Sequence, residues 1–167
     1  MINKKSSKIQ QLVICAMLMA LSIVFGKFLQ IPIGNSIRIS FEALPVILAG
    51  MVFGPIQGLI VGAAADVLGC FLRGYTLIPL ITVAAGCVGL IAGLFTKVLK
   101  KRNYIFILLT ELVSHITCSV IIKSVALWLA YGTPLEVLAL RLPIYIGLSA
   151  AEAVIILALF KKKVISF

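Results

Sequence analysis

Phe53-Gly54-Pro55-Ile56-Gln57-Gly58-Leu59-Ile60-Val61-Gly62-Ala63-Ala64-Ala65-Asp66 is the stretch on which the fold turns. Proline disfavours helical backbone in the residue before it, so Gly54-Pro55 stops one apolar run and opens the next. From there Gly54, Gly58 and Gly62 recur at every fourth position and lead to Asp66, on one face of a helix. Small residues at that spacing let helix backbones approach closely, which is how helices associate in lipid, where burying apolar surface gives little drive. Ala85, Gly89 and Gly93 repeat the pattern on a later run. The stretch predicts close helix packing with one carboxylate held inside it.

Outward from this stretch the chain stays apolar. Of 167 residues, 62% are apolar and 12% charged, and the mean hydropathy is +1.22, against about 45–50% apolar and roughly 25% charged in soluble domains. Apolar runs fall at about residues 9–26, 41–53, 56–72, 76–98, 104–130 and 135–160. Crossing the hydrocarbon layer takes about 20 residues, so six crossings would use about 120. The expected fold class is an all-α membrane protein: one integral domain over residues 1–167, a bundle of six transmembrane helices with both termini cytoplasmic. That leaves no room for a nucleotide-binding domain, a receptor head or a large extramembrane enzyme, and any motor for uphill movement must lie in another polypeptide. The first run imitates a secretory signal, but the rest of the chain is equally hydrophobic, so a retained helix is expected. The longest connection, Gln30-Ile31-Pro32-Ile33-Gly34-Asn35-Ser36, is expected outside, as is the turn Gly132-Thr133-Pro134, with Thr133 as a cap and Pro134 at a first helical position.

The net charge is +10. Lys4, Lys5 and Lys8 precede the first run, Lys97, Lys100, Lys101 and Arg102 follow the fourth, and Lys161, Lys162 and Lys163 close the last. The positive-inside rule reads these clusters as orientation signals at anionic lipid, and nucleic acid is not an expected partner. Cys15, Cys70, Cys87 and Cys118 sit inside apolar runs without pairing or metal-ligand spacing and read as small packing residues.

Ionisable groups deep in apolar runs face a bundle interior or a watery cavity, because exposure to lipid is costly. Glu111, His115, Ser119 and Lys123 follow at steps of four, and Arg141, Tyr145, Ser149 and Glu152 form a second stripe; the two are expected to face each other or the interior. Lys123, Arg141, Arg38 and Arg73 fall at one outer level, with Glu42, Asp66 and Glu136 to balance them. The surplus positive charge suits an anionic solute, since arginine grips a carboxylate with two prongs and lysine acts as a point charge. Phe41, Tyr75, Trp128, Tyr131 and Tyr145 offer a stacking wall for a heteroaromatic ring, and Asp66 or Glu42 can accept from an amino-substituted one. The competing readings are snorkelling for Arg38 and Arg73, an internal ion pair for Lys123, and an interfacial belt for Trp128 and Tyr131. His115 with Glu111 reads as a structural pair ahead of a proton relay. No catalytic triad, metal cluster or phosphate loop is visible, so neither an enzyme, a metal nor a cofactor is expected.

Arg38-Ile39-Ser40-Phe41-Glu42-Ala43-Leu44-Pro45, then Ala49-Gly50-Met51-Val52-Phe53-Gly54-Pro55, then Gly58, Val61-Gly62, Ala65-Asp66, Gly69 and Gly74-Tyr75 resemble the substrate-binding S component of an energy-coupling factor (ECF) vitamin transporter, most of all the folate type. Ala16 and Ala20 match that family's first-helix docking motif. The resemblance implies a six-helix bundle that binds its vitamin from outside, under the loop joining the first two helices. It also implies partnership with a transmembrane coupling protein and two ATP-binding-cassette ATPases. The substrate-binding set expected is Arg38, Ser40, Phe41, Glu42, Asp66, Arg73, Tyr75, Lys123, Trp128, Arg141 and Tyr145. A binder of another vitamin and a ligand-free membrane scaffold are the alternatives, the latter leaving Lys123 and Arg141 without a purpose. A stand-alone carrier would favour two similar halves or a continuous polar path, neither of which is visible.

Overall fold

The computed structural model describes residues 2–3, 7–33, 37–99, 104–162 and 165–166. Helix α1 (Lys8–Phe28) is followed by α2 (Ala43–Phe53), α3 (Pro55–Arg73), α4 (Pro79–Leu99), α5 (Tyr104–Tyr131), the short α6 (Leu135–Ala139) and α7 (Arg141–Lys161). The architecture is a helical bundle with two small additions. Ile31–Ile33 and Ile37–Ile39 form an antiparallel pair in the connection from α1 to α2, with Pro32 opposite Arg38. Ile2–Asn3 pairs in parallel with Ile165–Ser166, which brings the two chain ends together.

Among the described residues, five helices are long and apolar enough to cross a membrane: α1, α3, α4, α5 and α7. The second expected span differs. At 11 residues, α2 is roughly 16 Å long, about half the 30 Å hydrocarbon layer. A half-length helix ending in lipid would strand backbone polar groups, so it must be wrapped by protein. All of its residues are buried, against α3 and α4 on one side and α1 on another. Its last turn closes through Gly54 N donating to Gly50 O at 3.0 Å, and Gly58 N then donates to Gly54 O at 3.1 Å. Gly54 itself has φ 114°, open to glycine but strained for other residues, and Pro55 starts α3 where its missing N–H costs nothing.

The small-residue faces meet as their spacing predicts. A Cβ at Gly58 would stand 2.5 Å from Gly89 O, and one at Gly89 would stand 2.7 Å from Gly58 Cα. Around this contact Ile47, Val61, Ala84, Val88 and Ala92 complete the core.

The sixth apolar run is not one helix. Leu135–Ala139 stands apart and α7 begins at Arg141. Thr133 does not cap the following helix either: its hydroxyl donates backwards to Leu127 O at 3.3 Å, closing the end of α5 beside Gly132 at φ 61°. Helix α1 starts on a capping box, with Gln10 N donating to Ser7 Oγ and Ser7 N to Gln10 Oε1.

Candidate functional site

The pattern ends the first apolar run at Gly26, just before Lys27. Instead the helix continues as a π-helical turn, Val24–Phe28, with Leu29 N donating to Val24 O at 3.0 Å. The wider turn carries Lys27 to the bundle interior, where Nζ lies 3.4 Å from Asp66 Oδ1. Thr82 donates to the other oxygen of Asp66 at 2.8 Å. Two glycines make room for Lys27 and for Glu42. A Cβ at Gly69 would fall 2.6 Å from Lys27 Cε, and one at Gly26 would fall 2.5 Å from Glu42 Oε2.

Glu42, just before α2, pairs with Lys123 of α5, Oε1 to Nζ at 2.6 Å. Ser22 of α1 holds the same turn by donating to Glu42 O at 2.8 Å. A second π-helical stretch, His115–Ile122, explains how Lys123 gets there. In an α-helix of 3.6 residues per turn every fourth residue drifts round the axis by about 40°. The wider π turn, closed here by Lys123 N donating to Cys118 O, drifts the other way and keeps Glu111, His115, Ser119 and Lys123 on one inward face.

A cavity of about 600 Å³ opens on both ion pairs, within the roughly 300–1,000 Å³ usual for small-molecule sites. Lys27, Asp66, Glu42, Lys123, Ser40, Tyr75, Arg141 and Tyr145 are among its lining. Three cations face two carboxylates, so the wall is formally positive. Arg141 is buried, with Nη2 donating to Ser119 O at 2.9 Å and to Tyr145 Oη at 3.3 Å. Its guanidinium lies 5.4 Å from the Tyr145 ring centre. Gln30 donates to Tyr75 Oη at 3.3 Å and joins the external connection to the rim.

Several expected residues stand elsewhere. Arg73 does not line the cavity; it stacks at 5.3 Å over Phe28 and at 5.9 Å over Tyr75, because the C-terminal end of α3 turns it to the outside. Trp128 is 53% exposed and Phe41 38%, and neither is in the wall: α5 presents Trp128 away from the bundle, and Phe41 precedes the turn that aims Glu42 inward. The side chain of Arg38 lies outside the described residues, its backbone being paired with Pro32. Lys27, Gln30, Cys70 and Thr133 line the cavity although none of them is in the substrate-binding set expected from the sequence. Glycine at 69, which leaves room for the Lys27 side chain, is a signal in the sequence for its inward course. Ala16 and Ala20 are both exposed on the outer face of α1, beside Met17.

The two polar stripes do meet, as expected. His115 Nε2 lies 2.8 Å from Glu152 Oε2 and 3.6 Å from Glu111 Oε2, so its closer partner is on α7 and not on its own helix. Tyr145 links this cluster to the cavity, its ring 5.3 Å from that of His115.

A positive cavity inside an apolar bundle fits a solute-capturing membrane protein, and the comparisons with known proteins agree. The profile of the family described as "ECF-type riboflavin transporter, S component" matches residues 6–163. The chain belongs to this family. This S component is 36% identical over 121 residues to "Folate transporter FolT" of Clostridium novyi, covering 68% of each chain. It is also 36% identical over 100 residues to an uncharacterized MG313 homologue of Mycoplasma pneumoniae, covering 60% of this chain but only 35% of that one. Among solved structures, FolT bound with folic acid superposes with a TM-score of 0.76 at 28% identity, over 90% of this chain and 94% of that one. The S component is thus an integral membrane protein of the ECF transporters with folate-type relatives.

Proposed function

We propose that this S component captures folate from outside the cell and hands it inward, working with a transmembrane coupling protein and two ATP-binding-cassette ATPases, with both chain ends cytoplasmic. The observation that carries this reading is the positive cavity: Lys27, Lys123 and Arg141 against Glu42 and Asp66. Folate brings a flat amino-substituted pterin and a glutamate with two carboxylates. Arg141 and Lys123 answer the carboxylates, Tyr75 gives the ring a stacking face, and Asp66 accepts from its amino group. The FolT relative and the folic-acid-bound FolT structure support the same vitamin. Riboflavin, which the family description names, has a neutral sugar-alcohol chain and would leave the positive surplus unanswered.

In this reading the strand pair between α1 and α2 closes over bound ligand, and the exposed Ala16–Ala20 face of α1 meets the coupling protein. Calorimetry of the purified chain against folate, riboflavin and biotin tests the vitamin. Folate is expected to bind at least a hundredfold more tightly than the others; riboflavin binding as tightly as folate would overturn the assignment.

A further inference from the structure

We propose that Glu111, His115 and Glu152 form a binding site for one divalent transition-metal ion of the zinc class, clasping α5 to α7 behind the vitamin cavity. The sequence shows no metal-ligand spacing because the third ligand lies 37 residues from the second and on another helix. The fold brings one donor atom of each side chain within 4.8 Å of the others. Bonds to zinc of about 2.0–2.2 Å put neighbouring donors of a tetrahedral ion roughly 3.3–3.6 Å apart. Of the His115 Nε2 distances, 3.6 Å to Glu111 stands at the top of that range and 2.8 Å to Glu152 falls short of it, so the Glu152 carboxylate must rotate away from the ring to seat an ion.

Burial and charge point the same way. Glu111 and Glu152 are fully buried and His115 is 1% exposed. Both oxygens of Glu111, Oε1 of Glu152 and Nδ1 of His115 have no hydrogen-bond partner among the described residues. Buried carboxylates so placed are neutralised, either by protons or by a cation held close by. The cations nearest along the stripes are committed elsewhere, Lys123 to Glu42 and Arg141 to Ser119 and Tyr145. A divalent ion bound by two carboxylates and a neutral imidazole sums to zero, the charge a low-dielectric interior tolerates best. One nitrogen with two oxygens suits zinc, manganese or iron(II), whereas magnesium and calcium prefer all-oxygen shells. A water would fill the fourth position, and binding would release the protons shared by the three side chains.

The position gives such an ion a task. His115 opens the π-helical stretch that keeps the α5 stripe inward, and Tyr145 joins the cluster to the cavity wall. Fastening Glu152 of α7 to Glu111 and His115 of α5 holds both walls in register. None of this depends on which vitamin is carried.

The rival occupant is a pair of shared protons, which also sums to zero. The full chain, purified in detergent and stripped with a chelator, is incubated with zinc, desalted and analysed by mass spectrometry for metal per chain. About one equivalent is expected, together with a higher melting temperature that the chelator reverses. Glu111→Gln with Glu152→Gln, which removes both charges at constant shape, should lose the equivalent and the shift. Because that variant can fail to fold, X-ray absorption on the zinc-loaded wild type provides a second reading: one nitrogen and two or three oxygens, with no sulfur. Uptake far below one equivalent, sulfur in the shell, or equal uptake by the double variant would each overturn the site; the first would leave the cluster to protons alone.

Discussion

Replacing Lys123 by Met removes one charge from the cavity and keeps the length of the side chain. Lys123 is 12% exposed and its partner Glu42 33%, at 2.6 Å. Breaking a fully buried pair costs about 3–5 kcal/mol because one charge is left stranded, while an exposed pair is worth about 0–1 kcal/mol. With Glu42 a third in solvent, Lys123→Met should lower stability by about 1–2 kcal/mol. A charge-assisted contact to the ligand is worth about 1.5–3 kcal/mol, and 1.4 kcal/mol is tenfold in affinity, so folate should bind roughly 10- to 100-fold more weakly. A pterin without the benzoyl-glutamate tail should lose little. Adding Glu42→Gln to Lys123→Met separates the two effects. It removes the stranded carboxylate, so stability should return, while folate affinity stays low. The assays are calorimetry with both ligands and thermal unfolding of all three variants in detergent. If Lys123→Met weakens folate and the tail-less pterin equally, or weakens neither, Lys123 serves only to hold α5 on Glu42, and the reasoning about carboxylate capture is wrong.

Ala16→Trp or Ala20→Trp should leave folate affinity of the isolated chain nearly unchanged and abolish ATP-driven uptake when the partner subunits are present, because both alanines face outwards; loss of ligand binding in the isolated chain would place them in the bundle instead. Saturating folate should slow tryptic cleavage after Arg38, which pairs with Pro32 in the connection over the cavity, and equal cleavage with and without folate would end the lid role. Gly89→Val should destroy the folded protein, since even a Cβ there would stand 2.5 Å from the carbonyl carbon of Gly58; a variant that retains wild-type yield and melting temperature would contradict the packing of α3 on α4.

What the chain determined by itself is whatever repeats at short range. Hydropathy marks the spans, because lipid accepts only long apolar helices with their backbone bonds made internally. The Gly58 and Gly89 spacing announced close packing, since a missing Cβ matters wherever two backbones touch, and the α5 and α7 stripes had to face each other or the interior because lipid rejects them. The tertiary structure decided everything that depends on small rotations or distant partners. Whether α2 spans cannot be read from its composition, because a half-length helix is permitted only when neighbours enclose it. Two π-helical turns, which leave no sequence pattern of their own, rotate Lys27 inward and hold Lys123 on Glu42. How each helix is turned about its axis also sets Tyr145 of α7 in the cavity wall and Trp128 of α5 at the outer surface, although both lay at the expected level. The partner of His115 likewise came from 37 residues away, where the choice between Glu111 and Glu152 rests on how two helices cross.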